Sequence, residues 1–529
     1  MNPPDGLRER AAQLLMVRLG SNVPPPVAAE ADLDRVRALL PDCPVGGLIV
    51  FRGHAPGLRT ALGELQAASE IPLLVGSDLE RGMGQQVEGG TRFPHAMAIG
   101  NAPDPKDAAE RLARCTAQEA LAMGIHLAFA PVTDIHLTPE NPIIGPRAFG
   151  DTADRVGTCV EAYIRGARQE GLLTCAKHFP GHGRTVTDSH ETLPVVDAST
   201  ADLEAIDLSP FRRAIEAGVD TIMTAHVAYP SLDASGTPAT ASRPILTDRL
   251  RHEMGFTGCV VSDSLLMDGI AGSGTPGQQA AGLVAAGVDL LLDPQDPGAV
   301  VDGLVDAVHE DMLPEARLHE AFERVWVLKQ KAFSSDASRS GSNDAFTGTP
   351  SFQAEAKALA REGMTIRAGR SSSRLRSVDP DAGSIVCLRF SRGKPSGPCL
   401  LPGWNPDREW IVHAETPGDV LEDILEDILQ QEATARLVVC AVAAEPAAWQ
   451  SFGLPEHLED AVAAILDAGP PVVLGGLGSP HAVDSVEARA SSGKADRTRV
   501  DLYSDEPVSR EAFWAYIRER VMASSRGGA

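Results

Sequence analysis

The first 330 residues repeat one short unit: an apolar, β-branched run, then a Gly, Pro or Asp turn, then an Ala/Leu/Arg-rich helical pattern. Strands that alternate with helices predict a parallel sheet, because parallel neighbours need a long crossover connection. Eight such units in a segment of this length favour a closed (β/α)8 TIM-type barrel over an open sheet. The predicted strands are residues 13–19, 47–51, 73–77, 126–131, 173–178, 221–226, 259–262 and 288–292.

Polar and charged residues recur where these predicted strands end. In a parallel barrel all carboxyl ends of the strands open onto one face, and barrel enzymes carry their sites on that face. Helix capping explains one or two such residues, but it does not explain their repetition. The strand-end residues are Asp78, Asp134, Lys177, His178, His226 and Asp263.

The chain changes character after the predicted barrel, which we place at residues 1–333. Residues 334–351 are rich in Ser, Gly and Asp and are typical of a linker. Residues 352–529 return to an α/β pattern and predict a smaller sandwich domain with a parallel sheet. Its Gly475–Gly478 loop matches neither G-x-G-x-x-G nor G-K-[ST], so no nucleotide site is predicted there. The predicted elements of this domain are helices 352–368 and 458–468 and strands 384–388, 436–442 and 472–474.

The charge balance restricts the partners of the chain. With 47 Lys and Arg against 72 Asp and Glu, the formal net charge is −25, which argues against nucleic acid or an anionic membrane as a partner. No apolar run reaches the length of a transmembrane helix, and the first residues do not resemble a secretory signal. The 8 cysteines are scattered without a C-x-x-C pair, which indicates free thiols in a reducing compartment. We therefore expect a cytoplasmic protein; the sequence leaves its oligomeric state open.

Residues 177–194, KHFPGHGRTVTDSHETLP, form the most informative segment. Its glycines and prolines predict an irregular loop after a strand, in which polar groups can converge on a ligand. Asp188 and His190 lie two residues apart, so the carboxylate can fix one imidazole nitrogen and leave the other for proton transfer. A zinc site on His178, His182, Asp188 and His190 is an alternative, but the spacing matches no common ligand pattern. A loop with no function is the remaining interpretation.

A second candidate is Asp263 in VVSDSLLM, where an apolar strand ends in a carboxylate. Taken alone, such an aspartate most often caps the following helix. Beside the histidine loop it becomes a candidate nucleophile or electrostatic partner for glycosyl or phosphoryl transfer.

These motifs together resemble glycoside hydrolase family 3, in its β-N-acetylhexosaminidase subgroup. The resemblance lies in KHFPGHG, DSH and SDSLLM, in residues 75–94 (VGSDLERGMGQQVEGGTRFP) and in residues 141–150 (NPIIGPRAFG). It covers the first 330 residues and implies a barrel followed by an α/β sandwich. It also implies retaining removal of terminal β-linked N-acetylglucosamine, including from cell-wall (peptidoglycan) fragments, without a metal or an organic cofactor.

The resemblance assigns roles residue by residue. Asp263 matches the nucleophile that forms a covalent glycosyl-enzyme, His190 the acid/base, and Asp188 the carboxylate partner of that histidine. The positions that match sugar-binding residues are Lys177, His178, Arg147 and Asp78. A histidine suits this acid/base role at neutral pH because its ordinary pKa is near 6.5.

Three positions depart from the family pattern, and they bear on which substrate the pocket accepts. Arg184 follows PGHG where relatives have a small acidic or amide residue, Arg81 interrupts a Gly-Gly pair, and Gln86 replaces a sugar-binding arginine. Arg92 or Arg81 is a candidate substitute for that arginine.

Three alternative functions therefore stay open. An acid/base residue that is neutral or cationic does not repel phosphate, so phosphate could replace water as the acceptor, and this allows a phosphorylase. A β-glucosidase would take its acid from a second-domain glutamate such as Glu445 or Glu456. A sugar-binding protein with a decayed site is the non-enzymatic alternative.

Overall fold

The computed structural model describes residues 2–23, 25–186, 193–266, 274–334, 347–368, 384–392, 408–430, 435–444, 453–467, 472–490 and 497–523. The contacts between residues divide the chain into two compact units. Unit 1 comprises Met1–Arg92, Asp104–Thr138 and Ala148–Gln353; unit 2 comprises Phe93–Pro103, Pro139–Arg147 and Ala354–Ala529.

The domain boundaries at 1–333, 334–351 and 352–529 stay predictions. Residues 335–346 of the predicted linker lie outside the described residues.

Unit 1 contains the closed parallel barrel that the sequence predicts. Each strand pairs with the next one along the chain, and the last strand pairs with the first. The strands are β1 (Leu15–Leu19), β2 (Gly47–Val50), β3 (Leu74–Ser77), β4 (Leu127–Ala128), β5 (Leu173–Phe179), β6 (Thr221–Thr224), β7 (Cys259–Ser264) and β8 (Leu290–Leu292). Their side chains are almost all buried, as expected when helices cover the outside of a barrel and side chains fill its interior.

Several helices of unit 1 begin and end at residues that favour helix termini. The helix Pro105–Met123, for example, has Pro105 at its first turn and an Asp104 cap, and it ends at Gly124 in a left-handed conformation. Residues 203–217 have apolar residues at helical spacing, and they form a π-helical turn, Leu203–Asp207, followed by an α-helix. The α-helices are α1 (Leu7–Ala12), α2 (Leu33–Leu39), α3 (Ala55–Ala68), α4 (Pro105–Met123), α5 (Ala153–Glu170), α6 (Thr200–Asp202), α7 (Ser209–Glu216), α8 (Pro276–Ala286), α9 (Pro297–His309) and α10 (Glu315–Ser334).

Unit 2 is built on a six-stranded sheet in the order β9-β14-β13-β12-β10-β11, with β9 antiparallel and the other strands parallel. One apolar cluster packs on each face of this sheet. The strands are β9 (Thr365–Ala368), β10 (Ser384–Ser391), β11 (Arg408–His413), β12 (Ala435–Ala444), β13 (Val472–Gly478) and β14 (Arg497–Asp501). The helices are α11 (Pro350–Glu362), α12 (Gly418–Gln430), α13 (Glu456–Asp467), α14 (Pro480–Arg489) and α15 (Pro507–Ala523), with a short helix Ala96–Gly100 from the first half of the chain.

The prediction of one helix over 352–368 is wrong at its end. The helix stops at Glu362, and Thr365–Ala368 forms the antiparallel strand β9. A Cβ on Gly363 would lie 2.3 Å from the Ala98 carbonyl oxygen, so a glycine is required at this close approach. The β-branched Thr365 and Ile366 then favour a strand.

Two further observations concern the whole described chain. None of its helices combines the length and the apolar character needed to span a bilayer. The seven cysteines among the described residues are thiols rather than disulfides, and all but Cys115 are buried.

Candidate active site

Lys177, in the second half of β5, is the centre of a buried ionic cluster at the carboxyl ends of the strands. Its Nζ lies 2.8 Å from Asp78 Oδ1 and 2.7 Å from Glu80 Oε1, and both carboxylates follow β3. The Lys177 side chain is 3% exposed, whereas that of Asp78 is 26% exposed. Asp78 is therefore the carboxylate of this cluster that solvent or a ligand reaches most readily.

His178 is held by Asp134, which follows β4. His178 Nδ1 lies 2.7 Å from Asp134 Oδ2, and the backbone N–H groups of His178 and His182 donate to the same carboxylate. Burial raises the pKa of Asp134, but His178 and His182 outweigh it, so the pKa lies below its ordinary value. The ionised carboxylate thus fixes His178 with Nδ1 as the donor and Nε2 directed away from Asp134.

His182 is a structural partner in the same loop. Its Nδ1 lies 2.8 Å from Thr185 Oγ1, whose hydroxyl donates to the His182 carbonyl oxygen. Burial lowers the pKa of His182 to about 4, so the ring is neutral at pH 7. We conclude that His182 stabilises the loop rather than carrying charge.

Asp263 lies in a β-bulge of β7. Val261 pairs with Leu290 while Ser264 pairs with Leu292, so β7 carries one residue more than β8 in this interval. A bulge turns a strand locally and re-aims a side chain. The Asp263 side chain is partly exposed, and its Oδ1 accepts a hydrogen bond of 2.8 Å from the Ser264 N–H.

The surroundings of Asp263 keep it ionised. Burial raises its pKa, but His226, His178, the Ser264 N–H and Lys177 together outweigh burial, and the pKa of Asp263 lies below its ordinary value. A carboxylate that stays ionised at neutral pH is what nucleophilic attack on an anomeric carbon requires.

His226, just after β6, is a buried histidine beside Asp263. Its Nδ1 lies 2.8 Å from Thr240 Oγ1 and its Nε2 lies 3.3 Å from the Ser264 carbonyl oxygen. The Thr240 hydroxyl donates its only hydrogen to the Ala225 carbonyl oxygen, so it accepts from His226 Nδ1. The contacts with Thr240 and Ser264 therefore fix the orientation of the His226 ring.

The loop that follows β5 is anchored by a salt bridge. Arg184 Nε donates to both oxygens of the buried Asp207, at 3.1 and 2.9 Å. Burial raises the pKa of Asp207 to about 6, with Arg184 opposing that rise. Asp188 and His190, predicted as the acid/base pair, lie outside the described residues, and their roles stay predictions.

Other predicted site residues have different surroundings. Arg147 belongs to a segment of unit 2, where its guanidinium donates to the Ile143 carbonyl oxygen at 3.0 Å, and its sugar-binding role stays a prediction. Gln86, which departs from the family pattern, accepts a hydrogen bond of 3.0 Å from the exposed Asn22 side chain. The backbone N–H of Arg81 donates to Gln85.

The structure thus brings four predicted residues to one end of the barrel, namely Asp78, Lys177, His178 and Asp263. Sequence reasoning assigned no role to Glu80, Asp134 or His226, although the last two were noted among the strand-end residues. The position of Asp134 and His226 at predicted strand ends is the sequence feature that could have identified them as site residues. Glu80, two residues after Asp78, gave a weaker signal because it ends no strand.

The described residues hold no cluster of three or more metal-ligating side chains suited to a metal ion. Chemically, the site combines an ionised carboxylate, a buried lysine with two carboxylate partners, and two fixed histidines. Such groups donate and accept hydrogen bonds to sugar hydroxyls and supply a nucleophile at an anomeric centre.

Known proteins resemble this chain in sequence over the barrel and in fold over its whole length. The β-hexosaminidases of Chromobacterium violaceum and Vibrio cholerae are each 37% identical to this chain, over 311 and 303 residues. Each alignment spans 56% of this chain, and 85% and 87% of the respective relative. A family 3 β-N-acetylglucosaminidase from Paenibacillus sp. str. FPU-7 shares 26% identity and a TM-score of 0.83, covering 98% of this chain and 97% of that one.

The family itself is identified by a domain model. The model of the glycosyl hydrolase family 3 N-terminal domain matches residues 6–328, which contain the whole barrel and the cluster around Asp263. The chain therefore belongs to glycoside hydrolase family 3 and is a glycoside hydrolase, as the sequence resemblance predicts.

Proposed function

We propose that this enzyme is a retaining exo-β-N-acetylglucosaminidase that hydrolyses terminal β-linked N-acetylglucosamine. The observation that carries the proposal is an ionised Asp263 at the barrel mouth, within electrostatic reach of Lys177 and His178. The names of the β-hexosaminidase relatives support the substrate class.

In the first step, a carboxylate oxygen of Asp263 attacks the anomeric carbon as the bond to the leaving oxygen breaks. His190 donates its proton to that oxygen, so the aglycone departs as a neutral alcohol. The product is a covalent glycosyl-enzyme ester on Asp263 with inverted anomeric configuration.

In the second step, His190 takes a proton from water, and the water oxygen attacks the same carbon. The ester bond to Asp263 breaks, and the second inversion restores the β configuration. Asp188 would orient the His190 ring and stabilise the cationic form that His190 has before the first step and regains in the second.

The sugar itself is recognised by charged hydrogen-bonding groups. Asp78 accepts from distal hydroxyls, Lys177 donates beside it, and His178 offers its Nε2; Arg147 is proposed as a further donor. Glu80 and Asp134 keep Lys177 and His178 in place through their short contacts.

Two finer points also belong to the proposal. N-acetylglucosamine-terminated cell-wall (peptidoglycan) fragments are the proposed source of substrate, because the resemblance to the family subgroup implies them. A cytoplasmic location is supported by the cysteines that the structure describes, which are mostly buried and not in disulfides, since thiols persist in reducing compartments.

The proposal is tested by the turnover of an aryl β-N-acetylglucosaminide against an aryl β-glucoside, each with and without inorganic phosphate. Hydrolysis of the amino sugar that does not depend on phosphate is expected. Asp263→Asn should lower kcat by at least about 1,000-fold. His190→Ala should lower kcat by about 10²–10⁴-fold. Matched controls are Asp289→Asn, a buried aspartate at the start of β8, and His252→Ala, an exposed histidine.

Azide distinguishes the two roles. With Asp263→Gly, azide occupies the place of the nucleophile and should give an α-glycosyl azide, whereas with His190→Ala it should give the β-anomer. Near-normal turnover by Asp263→Asn contradicts the proposal, and a sugar phosphate as the main product identifies a phosphorylase instead. A clear preference for the glucoside identifies a β-glucosidase.

A further inference from the structure

We propose that Arg18 and Asp293 are positioning residues for the nucleophile, acting through the hydroxyl of Ser264. This inference rests on the proposed function, because it concerns how Asp263 is aimed at the anomeric carbon. The three residues lie at the carboxyl ends of three neighbouring strands: Arg18 on β1, Asp293 just after β8, and Ser264 at the end of β7.

Serine hydroxyls on both sides of the β7 bulge form hydrogen bonds with β8 and with the residue that follows it. On one side, Ser262 Oγ accepts from the Leu292 N–H at 2.9 Å. On the other side, Ser264 Oγ donates to Asp293 Oδ2 at 2.9 Å. Asp263 lies between these two serines. Its backbone is therefore held by the two serine hydrogen bonds in addition to the backbone hydrogen bonds between the strands.

Ser264 in turn fixes one oxygen of Asp263. Its backbone N–H donates to Asp263 Oδ1 at 2.8 Å, and its carbonyl oxygen accepts from His226 Nε2 at 3.3 Å. A shift of the Ser264 peptide would rotate the Asp263 carboxylate and move the His226 ring relative to it. The orientation of the attacking oxygen therefore depends on where the Ser264 hydroxyl is held.

Asp293 is well suited to hold that hydroxyl. Its side chain is 3% exposed, and its backbone has φ +60°, a conformation that L-residues other than Asn and Asp seldom adopt. Its N–H donates to the Met16 carbonyl oxygen at 2.8 Å. A buried carboxylate on a backbone of this kind persists because its neighbours fix it.

Arg18 supplies the fixing charge. Its Nε donates to Asp293 Oδ1 at 2.6 Å and its Nη2 donates to Oδ2, so the guanidinium grips both oxygens in a planar fork. Arg18 Nη1 donates to Ser21 Oγ at 3.0 Å, and the guanidinium lies 5.9 Å from the Phe51 ring centroid. With both oxygens fixed in this way, Oδ2 faces Ser264 in one orientation only.

Nucleophile geometry is sensitive to such support, because a displacement of 1 Å at a reacting group costs about 100-fold in rate. The sugar pocket around Lys177 and Asp78 lies on other strands. Loss of the Arg18–Asp293–Ser264 chain should therefore reduce the rate of glycosyl-enzyme formation without weakening sugar binding.

The test measures the single-turnover rate of glycosyl-enzyme formation and the inhibition constant of free N-acetylglucosamine. Ser264→Ala, Asp293→Asn and Arg18→Met should each slow glycosyl-enzyme formation by about 10- to 100-fold. Their inhibition constants should stay within about threefold of wild type, since sugar binding uses other groups. Asp293→Asn is a clean change because asparagine keeps the shape and tolerates the positive φ.

Two comparisons separate positioning from mere stabilisation. Ser264→Thr, which keeps the hydroxyl, should restore most of the rate, and Ser264→Ala/Asp293→Asn should be no slower than the slower single variant. Asp289→Asn is the matched control at the other end of β8: it removes a buried carboxylate that binds Arg251, Arg317 and Arg324, so it should lower the melting temperature but leave the rate unchanged.

The outcomes are distinguishable. If Asp263→Asn is inactive while Ser264→Ala and Asp293→Asn react at the wild-type rate, this inference fails and the proposed function stands. Rate losses that add in the double variant, or that Ser264→Thr does not restore, also overturn the inference. If Asp263→Asn is fully active, the proposed function fails first.

Discussion

Asp134 illustrates how one buried residue prepares the site without being its reactive group. The carboxylate accepts from two backbone N–H groups and from the His178 ring, so its charge is offset on several sides. Removing one partner of such a buried pair is strongly destabilising, since the remaining group is left without compensation. Asp134 therefore links the stability of the loop after β5 to the orientation of His178, which we propose as a sugar-binding residue.

Lys329, on α10, is a second buried charged residue, far in sequence from the catalytic motifs. Its side chain is fully buried, its Nζ donates to Gln13 Oε1, and it lies 5.8 Å from the centroid of the Trp326 ring. Burial lowers the pKa of Lys329 to about 7. The folded protein therefore holds this amine neutral over a pH range in which the unfolded chain protonates it.

This shift predicts a pH-dependent stability. Between about pH 7 and about pH 10.5 the unfolded chain binds the proton more strongly, so the contribution of Lys329 to stability rises with pH. It is lost as the pH falls through about 7. Lys329→Met should remove this component, which thermal melts of both proteins at pH 6, 7.5 and 9 will measure. The variant should gain stability relative to wild type as the pH falls; a difference that does not change with pH contradicts the prediction.

At the scale of elements, the sequence predicts the barrel strands well because each strand is a short apolar run bounded by turn residues. The predicted strands 173–178 and 288–292 differ from the observed Leu173–Phe179 and Leu290–Leu292 by one or two residues. Strand 126–131 shrinks to Leu127–Ala128. Periodicity identifies buried segments, but ladder pairing with neighbours decides where a strand ends.

The packing of α8 against α9 depends on two glycines that the sequence does not distinguish from others. A Cβ on Gly277 would lie 2.5 Å from the Gly303 Cα, and one on Gly303 would lie 2.3 Å from the Gly277 Cα. The two helices therefore meet backbone to backbone at this point. Gly282, in the middle of α8, has open space around its Cα instead.

We predict opposite effects for alanine at the two glycines of α8. Gly277→Ala forces α8 and α9 apart and should destabilise the protein by about 1–3 kcal/mol. Gly282→Ala relieves a helix-interior glycine and should stabilise it by up to about 1 kcal/mol. Urea denaturation of both variants beside wild type measures these changes. Equal effects of the two substitutions would show that the close helix contact is unimportant.

At the scale of the whole molecule, the dominant feature is the excess of acidic residues. A formal charge of −25 makes the folded chain repel itself, and salt screens that repulsion. The surface ion pairs weaken in salt as well, but exposed pairs contribute little individually.

We therefore predict that raising NaCl from 20 to 300 mM increases the melting temperature. Differential scanning calorimetry at pH 7.5 measures the change, and KCl at equal ionic strength is the control for an effect specific to sodium. A melting temperature that falls or does not change would show that the ion pairs, rather than the excess charge, dominate.

The candidate site could be predicted in part. Asp78, Lys177, His178 and Asp263 were selected because polar residues at strand ends converge in a parallel barrel, and the structure places all four at one end. The roles assigned to these four residues stay predictions, as do those of Asp188, His190 and Arg147. The supporting residues Glu80 and Asp134 had no assigned role, because a carboxylate that fixes another side chain has no local sequence pattern of its own.

The sequence by itself determined the repeat of strand and helix, the closed parallel barrel, the family motifs and the strand ends at which the predicted site residues lie. These follow from periodicity and turn chemistry, which act between residues close together along the chain. Only the tertiary structure decided which charges meet: Lys177 with Asp78, 99 residues apart, His178 with Asp134, 44 apart, and Arg18 with Asp293, 275 apart. The Arg18–Asp293 pair forms because closure of the barrel brings β1 beside β8, and the other two form because β3, β4 and β5 are successive strands of the barrel. No local pattern encodes a distance that the whole fold sets.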